Sequence, residues 1–266
     1  MTRWVNPVAA AGFSSAADVY ERARPSYPAA AVAWIAERAE IGPGRTVVDL
    51  GAGTGKLTRL LVPLGARVVA VEPLAEMRAK LEEVLPTVES LDGTAEDIPL
   101  PDGVADVVTC AQAFHWFNFE LAFPELHRVL ADDGLLVLVW NHLRELDDEL
   151  QGAIEALLAP YRTAAPGRPD DLWRPRLTAS DLFGAVEHQS FVFEQYLSRA
   201  DIVDRVASTS FVAALPPAER EVLLGRVRKL TADCAEPIDF PYRTDVFVIP
   251  RAGDRGGNVG GTPNEA

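Results

Sequence analysis

The chain has 266 residues, is 48% hydrophobic and 24% charged, and carries a formal net charge of -14 from 25 basic and 39 acidic side chains. That is enough apolar material for one sizeable core and a smaller addition. A surface of this sign repels phosphate backbones and anionic lipid heads, so nucleic acid and membranes are disfavoured as partners.

Two cysteines, Cys110 and Cys234, do not make a disulfide scaffold, and a reducing compartment suits them. The N-terminal residues show no apolar run followed by a cleavage pattern. The longest unbroken apolar stretch, Leu135 to Trp140, is far too short to cross a bilayer. The expectation is a soluble, cytoplasmic protein, monomeric or homodimeric.

Two apolar periods alternate along the first half. Pro28 to Ile41 has helical spacing and stops at Gly42-Pro43-Gly44. "RTVVDLG" is a short strand running into glycines, and "KLTRLLVPLG" is a helix with Leu57, Leu60, Leu61 and Leu64 on one face and Gly65 as its stop. "ARVVAVEP" is a second strand, "LAEMRAKLEEVLP" a helix, "TVESLDG" a weaker strand and "VADVVTCA" a fourth. "FELAFPELHRVLADDG" reads as the next helix and "LLVLVWN" as a fifth strand. Strands alternating with helices imply crossover units and a parallel sheet covered on both faces, which explains why the strands are apolar throughout.

The second half has a helix in "ELDDELQGAIEALLAPYR", a Pro- and Arg-rich loop in "TAAPGRPDDLWRPRL" and a strand in "VEHQSFVFEQYL". Helices over Arg199 to Thr209 and Pro216 to Cys234 and a last strand in "YRTDVFVIP" follow. The organisation expected is an N-terminal lid over 1–28 and a core over 29–144. Helical additions with two further strands fill 145–250, and a glycine-rich tail, 251–266, is read as disordered.

Chemistry concentrates in "VVDLGAGTGK", Val47 to Lys56. A buried strand ends near Asp49, and Gly51, Gly53 and Gly55 allow a tight turn and close approach to a ligand. Glu72 ends the next strand, 23 residues after Asp49, where an acid can accept both hydroxyls of a ribose. A nicotinamide fingerprint needs a third glycine where this chain has Lys56. Asp49 beside the turn would repel a pyrophosphate and favour an ammonium or sulfonium group.

At these residues the chain resembles the class I S-adenosylmethionine-dependent methyltransferases, within them the type 11 group that includes the trans-aconitate methyltransferase-like proteins. "VVDLGAGTGK", "VVAVEP", "GTAEDIPLPDG" and "VADVVTCAQAFHWFN" carry the likeness. It implies an open, doubly wound α/β sheet of seven mostly parallel strands, the last antiparallel, with a helical cap. It also implies S-adenosyl-L-methionine as cofactor, S-adenosyl-L-homocysteine as product and a small-molecule substrate. "FSSAADVYERARPSYP" resembles the family's opening segment, which folds over the cofactor. Arg24 there is a candidate clamp for the cofactor's carboxylate. The cofactor-binding set so implied is Tyr20, Arg24, Asp49, Gly51, Ala52, Gly53, Thr54, Gly55, Glu72, Pro73, Ala95, Glu96 and Gln112. Thr94 stands where relatives often carry Asp, so Glu96, Asp97 or the Ala95 backbone would read the adenine instead.

Methyl transfer needs alignment more than covalent help, with a base only for a hydroxyl, thiol or ammonium acceptor. Of the four histidines, His115 lies just past the carboxyl end of the fourth strand, where ligands of open α/β sheets bind. It is a base or substrate contact, or else a structural imidazole beside Trp116. Tyr27, Trp116, Trp140 and His142 complete the expected substrate pocket. Phe117 and Trp173 are further aromatics for its wall or for the core. His127 reads as surface and His188 as structural. Arg168, Arg174 and Arg176 would steer an anionic substrate or simply be solvated. No metal-ligand spacing, no GxSxG and no "NPPY"-like tetrad occurs, so metal dependence, hydrolase chemistry and nucleic-acid methylation are disfavoured. The alternative to an enzyme is a non-catalytic S-adenosylmethionine sensor or assembly protein of the same fold.

Overall fold

The computed structural model describes residues 21–144, 148–164 and 169–253. Tyr20, most of the N-terminal lid, Arg168 and nearly all of the expected tail lie outside them. Seven strands form one sheet in the order β3-β2-β1-β4-β5-β7-β6. They are β1 (Thr46–Leu50), β2 (Arg67–Val71), β3 (Glu89–Leu91), β4 (Ala105–Ala111), β5 (Leu130–Leu143), β6 (Glu187–Leu197) and β7 (Ile238–Pro250). The pairs among β1 to β5 are parallel, and β7 runs antiparallel to both β5 and β6. Chain order reverses between β1 and β4, which opens a crevice at their carboxyl ends, the usual ligand site of such sheets.

Successive strand residues feed opposite faces. Val47, Val107, Val137 and Val139 pack against α1 (Ala29–Arg38) and α2 (Thr58–Leu61). Val48, Val108, Leu136, Leu138 and Trp140 pack against α4 (Phe119–Val129) and α6 (Pro169–Thr178). Burial on both faces is what makes these strands apolar without alternation. On β2 and β3 packs α3 (Ala75–Val84), which buries Met77 and Leu81.

Three local expectations are corrected. The helix after the glycine loop is a single α-turn that tightens at Val62–Leu64, because Pro63 has no N–H to continue the ladder; Gly65, at φ 87, then stops it. Helix α4 ends at Val129 rather than running through "ADDG", which becomes an irregularity in β5: Ala105 pairs with Leu130 but Val107 with Leu135. The "PDDLWRPRL" stretch is helical, as α6, because Trp173 and Leu177, four apart, bury against the sheet. Trp173 is therefore core, and Arg174 lies over the Phe247 ring.

The remaining helices are α5 (Glu149–Leu158), α7 (Arg199–Ala207), α8 (Ser210–Ala213) and α9 (Pro217–Thr231). Ser198 and Asp201 form a capping box that starts α7. These helices gather on the extended end of β7 around Phe240 and Tyr242, in a core of their own that includes Ile154, Ile202, Leu223 and Val227. Among the described residues, no helix is long and apolar enough to cross a membrane.

Candidate functional site

β1 delivers the chain to the crevice at Leu50, and Gly51, Gly53 and Gly55 then take positive φ values of 66, 58 and 83. The turn hangs from the neighbouring strand: the Gly51 and Ala52 amides both donate to the Val71 carbonyl, at 2.8 and 3.2 Å. Two of these glycines do different work. A Cβ on Gly51 would sit 2.7 Å from the Ala113 methyl, so that glycine permits packing of the loop on the β4 exit. A Cβ on Gly53 would meet nothing within 4 Å, so its surface faces open space.

The two acids of the motif take different surroundings. Asp49 is turned inward, its oxygens accepting from the Thr58 hydroxyl at 2.6 Å and the Thr109 hydroxyl at 2.8 Å. Burial pushes its pKa up to about 6 despite those bonds. It tethers β1, β4 and the start of α2 and is 1% exposed, so it braces the loop from beneath. Glu72 lies across the loop's mouth, accepting from the Gly53 amide at 2.8 Å and the Leu74 amide at 2.9 Å. Its burial pushes the carboxyl up to about 7. Pro73 carries the chain from Glu72 to that second donor.

Beyond β3, Ala95 is buried, and Glu96 accepts from the Asn118 amide at 2.7 Å where α4 begins. Burial raises the Glu96 carboxyl too. Beyond β4, Gln112 has φ 60, a left-handed conformation uncommon for a residue with a side chain and often met at functional sites. Its amide donates to the Asn141 carbonyl at 3.0 Å, linking the exits of β4 and β5.

His115 follows on a short turn, Phe114–Trp116, its ring 4.8 Å from that of Trp116. Its Nδ1 is buried with no hydrogen-bond partner among the described residues. Burial, reinforced by the positive potential of Arg24 and His142, pushes its pKa down to about 4, so the imidazole is neutral near pH 7. His142 Nε2 is 3.5 Å from Asp245 Oδ2.

Other pocket expectations change. Trp140 is fully buried, stacked on Trp173 with ring centres 5.6 Å apart and edge-on to Phe114, so it belongs to the core and not to a cavity wall. Tyr27 is buried in the cluster under α1. Trp116 and Phe117 keep partial exposure. Arg24 donates from Nε to the Ser208 hydroxyl at 3.1 Å and from Nη2 to the Ser208 carbonyl at 3.0 Å, so its fork grips the end of α7. His127 is not simply surface: its Nε2 lies 3.0 Å from the Ala252 carbonyl. His188 stacks on Phe247 and pairs with Asp245 at 3.1 Å.

Three residues at this rim are not among the candidates that the sequence offers. Glu21 accepts from the Thr54 hydroxyl and pairs with Arg59 at 2.7 Å, while the Lys56 ammonium donates to its carbonyl at 2.6 Å. The N-terminal segment thus lies against the glycine loop. Asn141 donates to the Ser26 carbonyl and accepts from the Thr244 hydroxyl. Ser208 receives Arg24. Only Asn141, a polar residue closing an apolar strand at the carboxyl end, carried a usable sequence signal.

A methyltransferase domain model of type 11 matches residues 48–138, from the first strand to the fifth. An uncharacterized methyltransferase of Mycobacterium tuberculosis is 43% identical over 220 residues, covering 83% of this chain and 85% of its own length. The chain belongs to the class I S-adenosylmethionine-dependent methyltransferases of type 11. Within this family the sheet aligns with the crystal structure of YcgJ from Bacillus subtilis at TM-score 0.57 and 21% identity, over 85% of this chain and 99% of that one. It also aligns with a phosphoethanolamine N-methyltransferase of Haemonchus contortus, solved with S-adenosylhomocysteine, at TM-score 0.54 and 13% identity, over 91% and 58% of the two chains; both show the fold alone. The family is one whose members bind S-adenosylmethionine.

Proposed function

We propose that the chain transfers the methyl group of S-adenosylmethionine to an oxygen, nitrogen or sulfur of a small metabolite. The observation that carries this reading is Glu72 beside Gly53: a carboxylate at the mouth of a turn whose central glycine opens onto free space. Those residues fit the cofactor. Glu72 would exchange its two backbone donors for ribose hydroxyls, and the Gly53 backbone would lie against the nucleoside. Ala95 and Glu96 would border the adenine, while Gln112 and Arg24 would face the amino-acid end, Arg24 by leaving Ser208.

When bound, S-adenosylmethionine supplies an electrophilic methyl on a sulfonium, open to in-line displacement. The chain's own part is alignment and exclusion of water. Trp116 and Phe117 would wall the acceptor side. A carboxylate acceptor needs no proton removed; a hydroxyl, thiol or ammonium would lose its proton to neutral His115, whose Nδ1 is free to take one. The 1–28 segment and the helices around β7 would close the site from above.

The test is calorimetric titration with S-adenosylmethionine and S-adenosylhomocysteine, followed by transfer of a labelled methyl to a metabolite panel. Binding of both with labelled product is the expected result. Binding without any product points to the sensor reading, and no binding of either molecule overturns the site.

A further inference from the structure

β6 is the last strand of the sheet, and no other strand pairs with its outer side among the described residues. It is 11 residues long, "EHQSFVFEQYL", and contains no Lys, Arg or Pro, the residues that usually blunt a free edge. Val192 at 60% and Tyr196 at 63% are among the most exposed large hydrophobic side chains of the described residues. An edge of this length, unpaired by another strand among the described residues, is a template for a further strand.

The sequence says which strand. Around Val192 it reads Gln189-Ser190-Phe191-Val192-Phe193-Glu194-Gln195, nearly the same in both directions. An antiparallel pairing with a second copy, centred on Val192, sets Val192 against Val192, Phe191 against Phe193 and Gln189 against Gln195. On the α1 face, Phe191 already packs edge-on to Trp34, and Phe193 stacks on Tyr242, so the cross-strand aromatic pair would extend an existing apolar layer. No like charges meet. Glu194 falls opposite Ser190 and Glu187 opposite Leu197. His188, opposite Tyr196, has Glu194 of the copy as its diagonal neighbour, and Arg199 lies two residues beyond Leu197, on the diagonal of Glu187.

We propose that β6 is a self-complementary dimerisation edge, joining two copies of this chain about a two-fold axis at Val192 into one continuous 14-stranded sheet, twice the seven strands of one copy. Because paired residues have the same parity, the α1 faces of both copies lie on the same side of the joined sheet.

Sedimentation of the full chain at tens of micromolar should give twice the 28.8 kDa chain mass. Val192→Lys sets two like charges opposite each other and should weaken association more than tenfold with an unchanged circular dichroism spectrum. The register is tested by mild oxidation in a Cys234→Ser background. Val192→Cys should cross-link to its own copy in high yield. Tyr196→Cys should not, since its copy would stand eight residues along the ladder, roughly 27 Å away. A monomeric parent chain, or cross-linking of Tyr196→Cys as ready as that of Val192→Cys, overturns the proposal.

Discussion

The rim at the carboxyl ends of β1, β2 and β4 and the helices gathered on β7 are held by different means. The rim rests on polar groups inside the fold: Asp49 on two threonine hydroxyls, Glu72 on two amides, Glu96 on a third. The α5, α7 and α9 layer rests on an apolar cluster of its own, separate from the two that sandwich the sheet. Buried carboxyls fix geometry at some cost in desolvation, while apolar clusters supply most of the stability. Damage to the rim should therefore read out in binding, and damage to the clusters in folding.

The largest effects test the second half of that statement. Trp140→Ala, in the sheet's core, should cost about 3–5 kcal/mol of unfolding free energy in a denaturant titration. Tyr242→Ala should cost a similar amount, but hydrogen exchange should rise first in α5, α7 and α9 while β1 and β4 stay protected. Equal acceleration everywhere would mean the two regions form one cooperative unit.

At the rim, Glu72→Ala should weaken S-adenosylmethionine binding more than tenfold in calorimetry, as expected for loss of charged hydrogen bonds of about 1.5–3 kcal/mol, and lower the melting temperature little. The glycines split the comparison further. Gly51→Ala should lower the melting temperature, because its methyl collides with Ala113 at 2.7 Å. Gly53→Ala should fold with only the strain of its positive φ and lose cofactor affinity instead.

The smallest effect concerns pH. Burial raises Glu72 from 4.5 to about 7, so the ligand-free fold binds an extra proton that the unfolded chain releases above pH 4.5. Its contribution to stability is fully present below pH 4.5 and is lost as pH rises through 7. Ribose hydroxyls need the ionised form, so affinity should run the other way, falling roughly eightfold from pH 7.5 to 6. Glu72→Gln should flatten the affinity slope and remove only the Glu72 share of the stability slope, since Asp49, raised to about 6, titrates with the same sign at lower pH. His115, near 4 in the fold, adds no limb to the affinity in that range, but it adds a stability limb of opposite sign, rising between pH 4 and 6.5, where only the unfolded imidazole is protonated.

The same division decides what the sequence revealed. The parallel half was legible because each of its signals is local: apolar runs of five to seven residues, glycines at positive φ, and an acid at the end of β2. Residues whose place is set by distant partners were not. Trp140 reads as a candidate for the pocket or the core until Trp173 arrives from α6 to stack on it. The α6 segment looks like a loop because its prolines and arginines mask two apolar residues four apart. Glu21, inside the opening segment, and Ser208 are not singled out by the sequence; their roles exist only because the chain brings them to the loop and to Arg24.

The contacts of residues 21 to 26 bear on how such enzymes could be re-engineered. This short stretch binds the glycine loop through Glu21, the exit of β5 through Ser26 and the end of α7 through Arg24. Grafting α5 to α9 from a relative to alter acceptor preference would keep the bond to the backbone carbonyl at position 208 but lose the hydroxyl half of the last of these ties unless a hydrogen-bonding side chain stood there. A productive chimera would therefore carry its donor's leading segment together with the donor's helices, exchanging two stretches far apart in the chain as one part.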